Sequence, residues 1–584
     1  MTPVRSCGIA VLLSVAASFV LLKAGIALPD IGFAALVLAL TVALAVQGRP
    51  TAPMAAAVRP YAGVLVGALA MFLALLWMFY KSDVLPTHDS TALPRFAQVI
   101  EQGQLLSDAY PRGRSGHAYP PGGPVLFRYA FGLLTPLATL WLMKMTSLAA
   151  VALIPLAWGW LFHRLFPMPL RFGPWIALCY VAFWTGERTI GFALPFAGKN
   201  ALIYGIALAP LVIALMVDSL RSRFGWLLAG GAAFGLTLIN YSLLHLMAGV
   251  VGAYVAVHLL QRRMGWRELA KLFGCFALPS LLMLLLLGDV VRDPRAGNFH
   301  FAPVSGLLHL LEVYTRRLSP VVIYHDAQFG IAHYPWRGAL FLAALAACLL
   351  MLRRTGRKEE AYAVAGMALG VFLVLMFAFG VIPLGITLDY ARWIVWPIQA
   401  VAMASIAAAL LYRPGGWTRP AAALACVALV CGVWVFKEDA RAYRKEVGGQ
   451  AVALRELESL AALYAQEAAG RRCHLVAESS ISSDGLSAAQ LRRKFDYSEI
   501  ISECRFANGA WVDAGEPEAR AWDGFPPASR LAALSGDAIF LIGSRERLDA
   551  YIQRLEAAGV ALPWKLLSDE AGVRILVNAA PGGG

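Results

Sequence analysis

Long apolar runs broken by short polar ones fill the first three quarters of the chain. Segments near 8–28, 30–47, 60–80, 140–162, 173–186, 198–217, 225–242, 243–261, 269–289, 336–352, 362–385, 390–411 and 419–436 approach the ~20 mainly apolar residues that a helix needs to cross a bilayer. They predict a polytopic α-helical membrane protein of about thirteen spans, the fifth being the shortest. The first segment resembles a secretory leader, but no small-residue cleavage site follows it, so it is expected to remain as an anchor. The rhythm breaks in long polar loops at 81–139 and 290–335. It ends near Lys437, where "ELESLAALYAQEAAG" and "SRERLDAYIQRLEAAG" alternate with strand-like "HLVAES", "DAIFLIG" and "GVRILVN". Residues 1–436 therefore read as a transmembrane domain and 437–584 as a small soluble α/β domain.

Composition agrees with this division. Of 584 residues, 59% are hydrophobic and 15% charged, with a mean hydropathy of +0.64. A soluble domain carries about 25% charged residues. The net charge of +14 does not point to nucleic acid, because much of it sits as Arg and Lys in short loops between apolar segments. With Arg5 on the cytoplasmic side, the loops holding Arg49/Arg59, Arg164/Arg171, Arg221/Arg223, Arg262/Arg263/Arg267/Lys271, Arg353/Arg354/Arg357/Lys358 and Arg413/Arg419 fall on that side too. That parity puts 81–139, 290–335 and the C-terminal domain outside, in the periplasm if the membrane is a bacterial inner membrane. It also requires "PGGPVLFRYAFGLLTP" to lie along the outer interface over 122–138, with Arg128 and Tyr129 near the headgroups.

Eight cysteines show no metal-ligand spacing, and Cys7, Cys179, Cys275, Cys348, Cys426 and Cys431 lie in or beside apolar runs. Cys473 and Cys504 are the only candidates for a disulfide, which an oxidising compartment would permit. His300, His309, His325 and His333 share a loop but lack a tight i, i+3 or i, i+4 pair, so zinc is not favoured. Heme, flavin and nucleotide motifs are absent from the sequence.

Polar residues within the predicted spans are one-sided. Lys144, Glu187, Arg188, Lys199, Asn200, Asn240, Tyr241, His245, Asp289, Arg292, Asp389 and Arg392 all fall at or near outer ends, with almost none in the inner halves. A transporter is expected to place such groups near the midplane. Groups gathered at one end, under a loop headed by His88 and Asp89, point instead to a reaction site open to the outer face.

An acidic residue soon after a span in "THDS", then "YPPGGPVLF", an interfacial helix and a span ending "WLFHRLF" resemble the GT-C superfamily of integral-membrane glycosyltransferases. The resemblance implies a polyprenyl-phosphate-linked sugar as donor and a glycan, lipid or protein outside the cytoplasm as acceptor. It covers the whole architecture, although its sequence-specific part is short. In the commonest family pattern two acidic residues lie adjacent or one apart; here a single Asp89 follows His88, and a divalent metal is not favoured.

The chemistry of such a transfer assigns roles. Asp89 is expected to act as general base, with His88 orienting it or binding acceptor; "HDS" would equally cap a helix starting near Thr91. Lys199, opening a span in "PFAGKNALIYG", and Arg392, one turn after Asp389 in "TLDYARW", are candidate ligands of the donor phosphate. Arg292 and Arg295 in "VVRDPRAGNFH" are further candidates. His117, Tyr119, Glu187, Arg188, His325, Asp326 and Asp389 are expected around the acceptor or behind the reacting groups. Three other readings stay open: an O-antigen-type polysaccharide ligase using Arg and His of the 290–335 loop, a lipid or solute transporter, and a scaffold whose outer domain does the recognition.

Overall fold

A computed structural model describes residues 3–46, 62–81, 83, 120–131, 134, 136–166, 171–185, 200–287, 335–378, 391–413, 416–417, 441, 453–477, 501–502, 504–506, 525–570 and 573–578. Its helices are α1 (Pro3–Lys23), α2 (Asp30–Val46), α3 (Ala62–Met78), α4 (Gly122–Phe131), α5 (Pro136–Leu165), α6 (Phe172–Thr185), α7 (Asn200–Ser219), α8 (Gly225–Ile239), α9 (Ser242–Leu260), α10 (Trp266–Leu286), α11 (Pro335–Arg354), α12 (Lys358–Ala378) and α13 (Ala391–Leu411). A helix overlaps each of the first twelve apolar segments; 419–436 lies outside the described residues. Five helices among the described residues are long and apolar enough to cross a membrane: Arg5–Lys23, Leu137–Leu165, Asn200–Ser219, Ser242–Leu260 and Trp266–Leu286. Short apolar helices such as Gly225–Ile239 pack beside them.

The helices form a bundle around one large apolar core, with two smaller apolar clusters beside it around Phe19 and Phe234 and around Leu22 and Phe33. Trp175 of α6 donates from Nε1 to the Gly159 carbonyl (2.7 Å), and Tyr180 donates to the Ala152 carbonyl (2.8 Å), so α6 runs antiparallel to α5. Trp158 of α5 donates to the Ile206 carbonyl of α7 (3.0 Å). Each of these buried N–H or O–H groups thus finds a carbonyl on a neighbouring helix, as an apolar medium demands. The tightest approach is at Gly235 of α8, where a Cβ would overlap the Leu12 carbonyl oxygen on α1, and at Gly249 of α9 one would lie 2.6 Å from the backbone nitrogen of Val374 on α12. Small residues bring helix backbones together in lipid, where apolar burial alone does not drive association.

The interface helix differs from the expected 122–138. It ends at Phe131, and α5 begins afresh at Pro136. Proline lacks an amide donor but suits the first helical turn, and it pushes the residue before it out of helical conformation. α4 packs on α1, α2 and α8, with Tyr129 stacked on Phe33 (ring centroids 4.2 Å apart) and its hydroxyl donating to the Leu28 carbonyl (2.9 Å).

After a two-strand ribbon, β1 (Tyr412–Arg413) and β2 (Gly416–Trp417), the described chain resumes in the C-terminal part with α14 (Leu454–Ala468), β3 (Cys473–Ala477), β4 (Arg505–Phe506), α15 (Ala528–Ala532), β5 (Ala538–Ser544), α16 (Arg545–Ala557), β6 (Trp564–Glu570) and β7 (Val573–Asn578). The sheet order is β4-β3-β5-β7-β6, parallel across β4-β3-β5 and antiparallel across β5-β7-β6. β5 is buried over Ala538–Gly543, as a central strand covered on both faces must be. One face packs on Tyr464 of α14, the other on Leu548, Tyr551 and Leu555 of α16. The structure joins Cys473 to Cys504 in a disulfide, tying β3 to the start of the edge strand β4.

Candidate functional site

The bundle has two chemically different ends. At one, Arg5 Nη2 meets Asp218 Oδ2 at 2.5 Å, and Arg164 pairs with the same carboxylate. Arg263 and Gln261 each donate to Glu359 at 2.9 Å. Lys271 Nζ caps the end of α7 through the carbonyls of Leu220 (2.7 Å) and Ser222 (2.9 Å), and Arg357 donates to the Ala409 carbonyl at the end of α13 (3.1 Å). Cations on the carbonyls of helix C-termini are favourable there.

The opposite end holds buried and mostly neutral polar groups. Ser147 of α5 donates to Asn200 Oδ1 of α7 at 2.9 Å, and its Oγ lies 3.0 Å from the Tyr204 hydroxyl. Thr146 and Tyr204 share a hydrogen bond at 2.8 Å, and Asn200 Nδ2 reaches Met143 Sδ at 3.5 Å. Lys144, 4% exposed, donates from Nζ to the Phe79 carbonyl at the end of α3 (2.8 Å), and the Asp83 carboxylate acts on the same ammonium. α5 is about 45 Å long at 1.5 Å per residue, which exceeds a ~30 Å hydrocarbon core. Lys144 lies about 12 Å from its start.

A second group sits beside the first. Asn240 and Tyr241 join α8 to α9, and Asn240 Oδ1 accepts from the Ser242 amide (3.0 Å). Ser242 and His245 are 1% exposed. Leu243, between them in sequence, packs against Gly205 of α7, one residue beyond Tyr204, which makes the two polar groups neighbours across the α7–α9 contact. Gly122 of α4 closes on the same junction: a Cβ there would lie 2.6 Å from the Leu238 carbonyl carbon and 2.7 Å from the Ile239 nitrogen.

The C-terminal part reaches this end as well. Asp83 Oδ2 accepts the Leu454 amide at 3.0 Å. Leu454 is the first residue of α14, and its N-cap residue, Ala453, has no side-chain cap. A carboxylate that follows α3 therefore supplies the helix N-terminus with the anion it favours. Leu457 of α14 is buried in the bundle core. Within the C-terminal part, Arg545 (2.5 Å) and Arg574 (3.0 Å) hydrogen-bond Asp569 and hold its carboxyl below the usual range. His474 Nε2 lies 2.8 Å from Asp537 Oδ2, and Asn578 donates to the Asp537 carbonyl (2.9 Å), locking the entry to β5.

Most of the expected site residues lie outside the described residues: His88, Asp89, His117, Tyr119, Glu187, Arg188, Lys199, Arg292, Arg295, His325, Asp326 and Asp389. Arg392 belongs to α13, but its side chain is not among those described. The described part adds Ser147, Thr146 and Tyr204, which no sequence signal distinguished from ordinary core serine, threonine and tyrosine. It also adds the Asp83–Leu454 contact across 371 positions. No group of three or more His, Cys, Asp or Glu able to hold a metal occurs among the described residues. No protein-family model matches the chain, and no curated protein matches it.

Proposed function

We propose that the chain is a membrane glycosyltransferase that moves a sugar from a polyprenyl-monophosphate donor to a hydroxyl of a periplasmic glycan, lipid or protein. The observation that carries this reading is the gathering of buried polar side chains at the end of the bundle where the soluble domain docks, opposite the end held by arginine and lysine. Positive charge favours the cytoplasmic side. The polar end and the soluble domain then face the periplasm of a bacterial inner membrane, where lipid-linked sugars and their acceptors meet.

In the proposed reaction the acceptor hydroxyl gives its proton to Asp89, oriented by His88. The acceptor oxygen bonds to the anomeric carbon from the face opposite the phosphate. The bond from that carbon to the phosphate oxygen breaks, its electron pair leaves with polyprenyl phosphate, and the configuration inverts. Lys199 and Arg392, with Arg292 and Arg295, offset the charge on the departing phosphate. His117, Tyr119, Glu187, Arg188, His325, Asp326 and Asp389 surround the acceptor side.

The test is transfer by purified full-length protein in detergent, with a panel of polyprenyl-monophosphate sugars, wild type beside Asp89→Asn and Lys199→Ala. Removing a general base should slow turnover about 100- to 10,000-fold with donor binding retained. Full activity in Asp89→Asn would overturn the mechanism, and turnover only with a diphosphate-linked glycan would move the assignment to a polysaccharide ligase.

A further inference from the structure

His245 carries a polar atom that the bundle does not satisfy. It is 1% exposed, and its Nε2 has no hydrogen-bond partner among the described residues. Ser242, one turn earlier on the same helix face, is equally buried, and its Oγ also lacks a partner there. Ser242 opens α9, so no earlier turn of its own helix offers its hydroxyl a carbonyl, whereas Ser405 inside α13 returns its hydroxyl to Val401 (2.6 Å).

The geometry also says where this face looks. Ser242, His245 and Gly249 fall on one stripe of α9 at i, i+3 and i+7, and Gly249 touches Val374 of α12. His245 is one turn, about 6 Å, nearer the polar end than that contact, level with the last residues of α12 at Ala378. The stripe therefore begins in close helix–helix packing and ends, at the polar end, in two unsatisfied groups. Hydrocarbon surroundings penalise both, and leucine or alanine would fill the same positions without penalty. Ionisable side chains at membrane depth mark ligand paths where they are not paired.

We infer that His245 Nε2 and Ser242 Oγ bind hydroxyl groups of the sugar that the protein handles. An imidazole and a serine hydroxyl together offer a donor and an acceptor, the complement of sugar hydroxyls. The inference rests on the transferase reading and adds to it a sugar-recognising pair on α9, separate from the reacting groups of the outer loops.

The test uses full-length protein in detergent and follows thermal unfolding with polyprenyl phosphate alone and with polyprenyl-monophosphate mannose, glucose and galactose. Wild type should gain more from a sugar-bearing lipid than from the bare phosphate. His245→Leu should melt at or above wild type without ligand, because it removes an unpaired polar group. It should bind the sugar lipid about tenfold more weakly, the loss of one hydrogen bond at a buried site. His245→Gln, which keeps a donor and an acceptor, should recover part of that affinity, and Ser242→Ala should lose part of it. Unfolding of His245→Leu well below wild type, or unchanged sugar-lipid affinity in that variant, overturns the inference while leaving the transferase reading standing. A wild type that distinguishes no sugar lipid from bare polyprenyl phosphate overturns both.

Discussion

The two ends of the bundle solve opposite problems with different residues. At the basic end, charges sit in or beside the end turns of helices and grip carboxylates or helix-terminal carbonyls: Arg5 and Arg164 on Asp218, Lys271 on Leu220 and Ser222, Arg357 on Ala409. These groups are partly solvated, with Asp218 34% exposed, and each has an evident structural partner. At the other end Ser147, Asn200, Ser242 and His245 are removed from water, Tyr204 is half-buried, and His245 is left without a partner among the described residues. The contrast separates polarity that orients and closes a fold from polarity that the fold alone does not require.

Lys144→Met should sharpen that contrast most. It keeps a side chain of similar length but leaves the Phe79 carbonyl without its donor, so stability should fall by about 1–3 kcal/mol. If this is the working end, transfer should fall with it by more than the loss of folded protein explains; unfolding and turnover measured on one preparation distinguish the two effects. Asp218→Asn, at the basic end, leaves Arg5 and Arg164 without a counter-charge. About 1 kcal/mol of stability should go, given its exposure, with turnover per folded molecule unchanged; a large drop in turnover would erase the distinction between the ends. The most local effect is expected for Asp83→Ala, which removes the borrowed cap of α14. A helix cap contributes about 0.5–2 kcal/mol, so amide exchange in the first turn after Leu454 should quicken while β5 exchanges as before.

Legibility along the chain followed the range of the interaction. The apolar segments announced α1 to α3 and α5 to α13 because twenty residues of hydrocarbon character are a local property, and the boundaries moved only by a few residues. The helix expected over 122–138 ends at Phe131, and Pro136, a residue suited to a first helical turn, opens the next one. Lys144, Asn200, Asn240 and His245 stood out as polar residues at span ends. Ser147, Thr146 and Tyr204 did not, since a hydroxyl in a helix reads the same whether it bonds its own turn or a neighbour 53 to 58 residues away.

What the sequence determined by itself is the run of helix-length apolar segments through the first 436 residues, the clustering of arginine and lysine in alternate short polar stretches, and the change to a strand-and-helix pattern after Lys437. These follow from transfer energies and short-range periodicity, which each residue carries with it. Only the tertiary structure decided that α5 and α7 share a polar seam, that Asp83 caps α14, that Cys473 bonds Cys504, and that Ser242 and His245 are buried without satisfaction. Hydrogen bonds and burial belong to pairs of atoms, and the pairs exist only once the helices have packed.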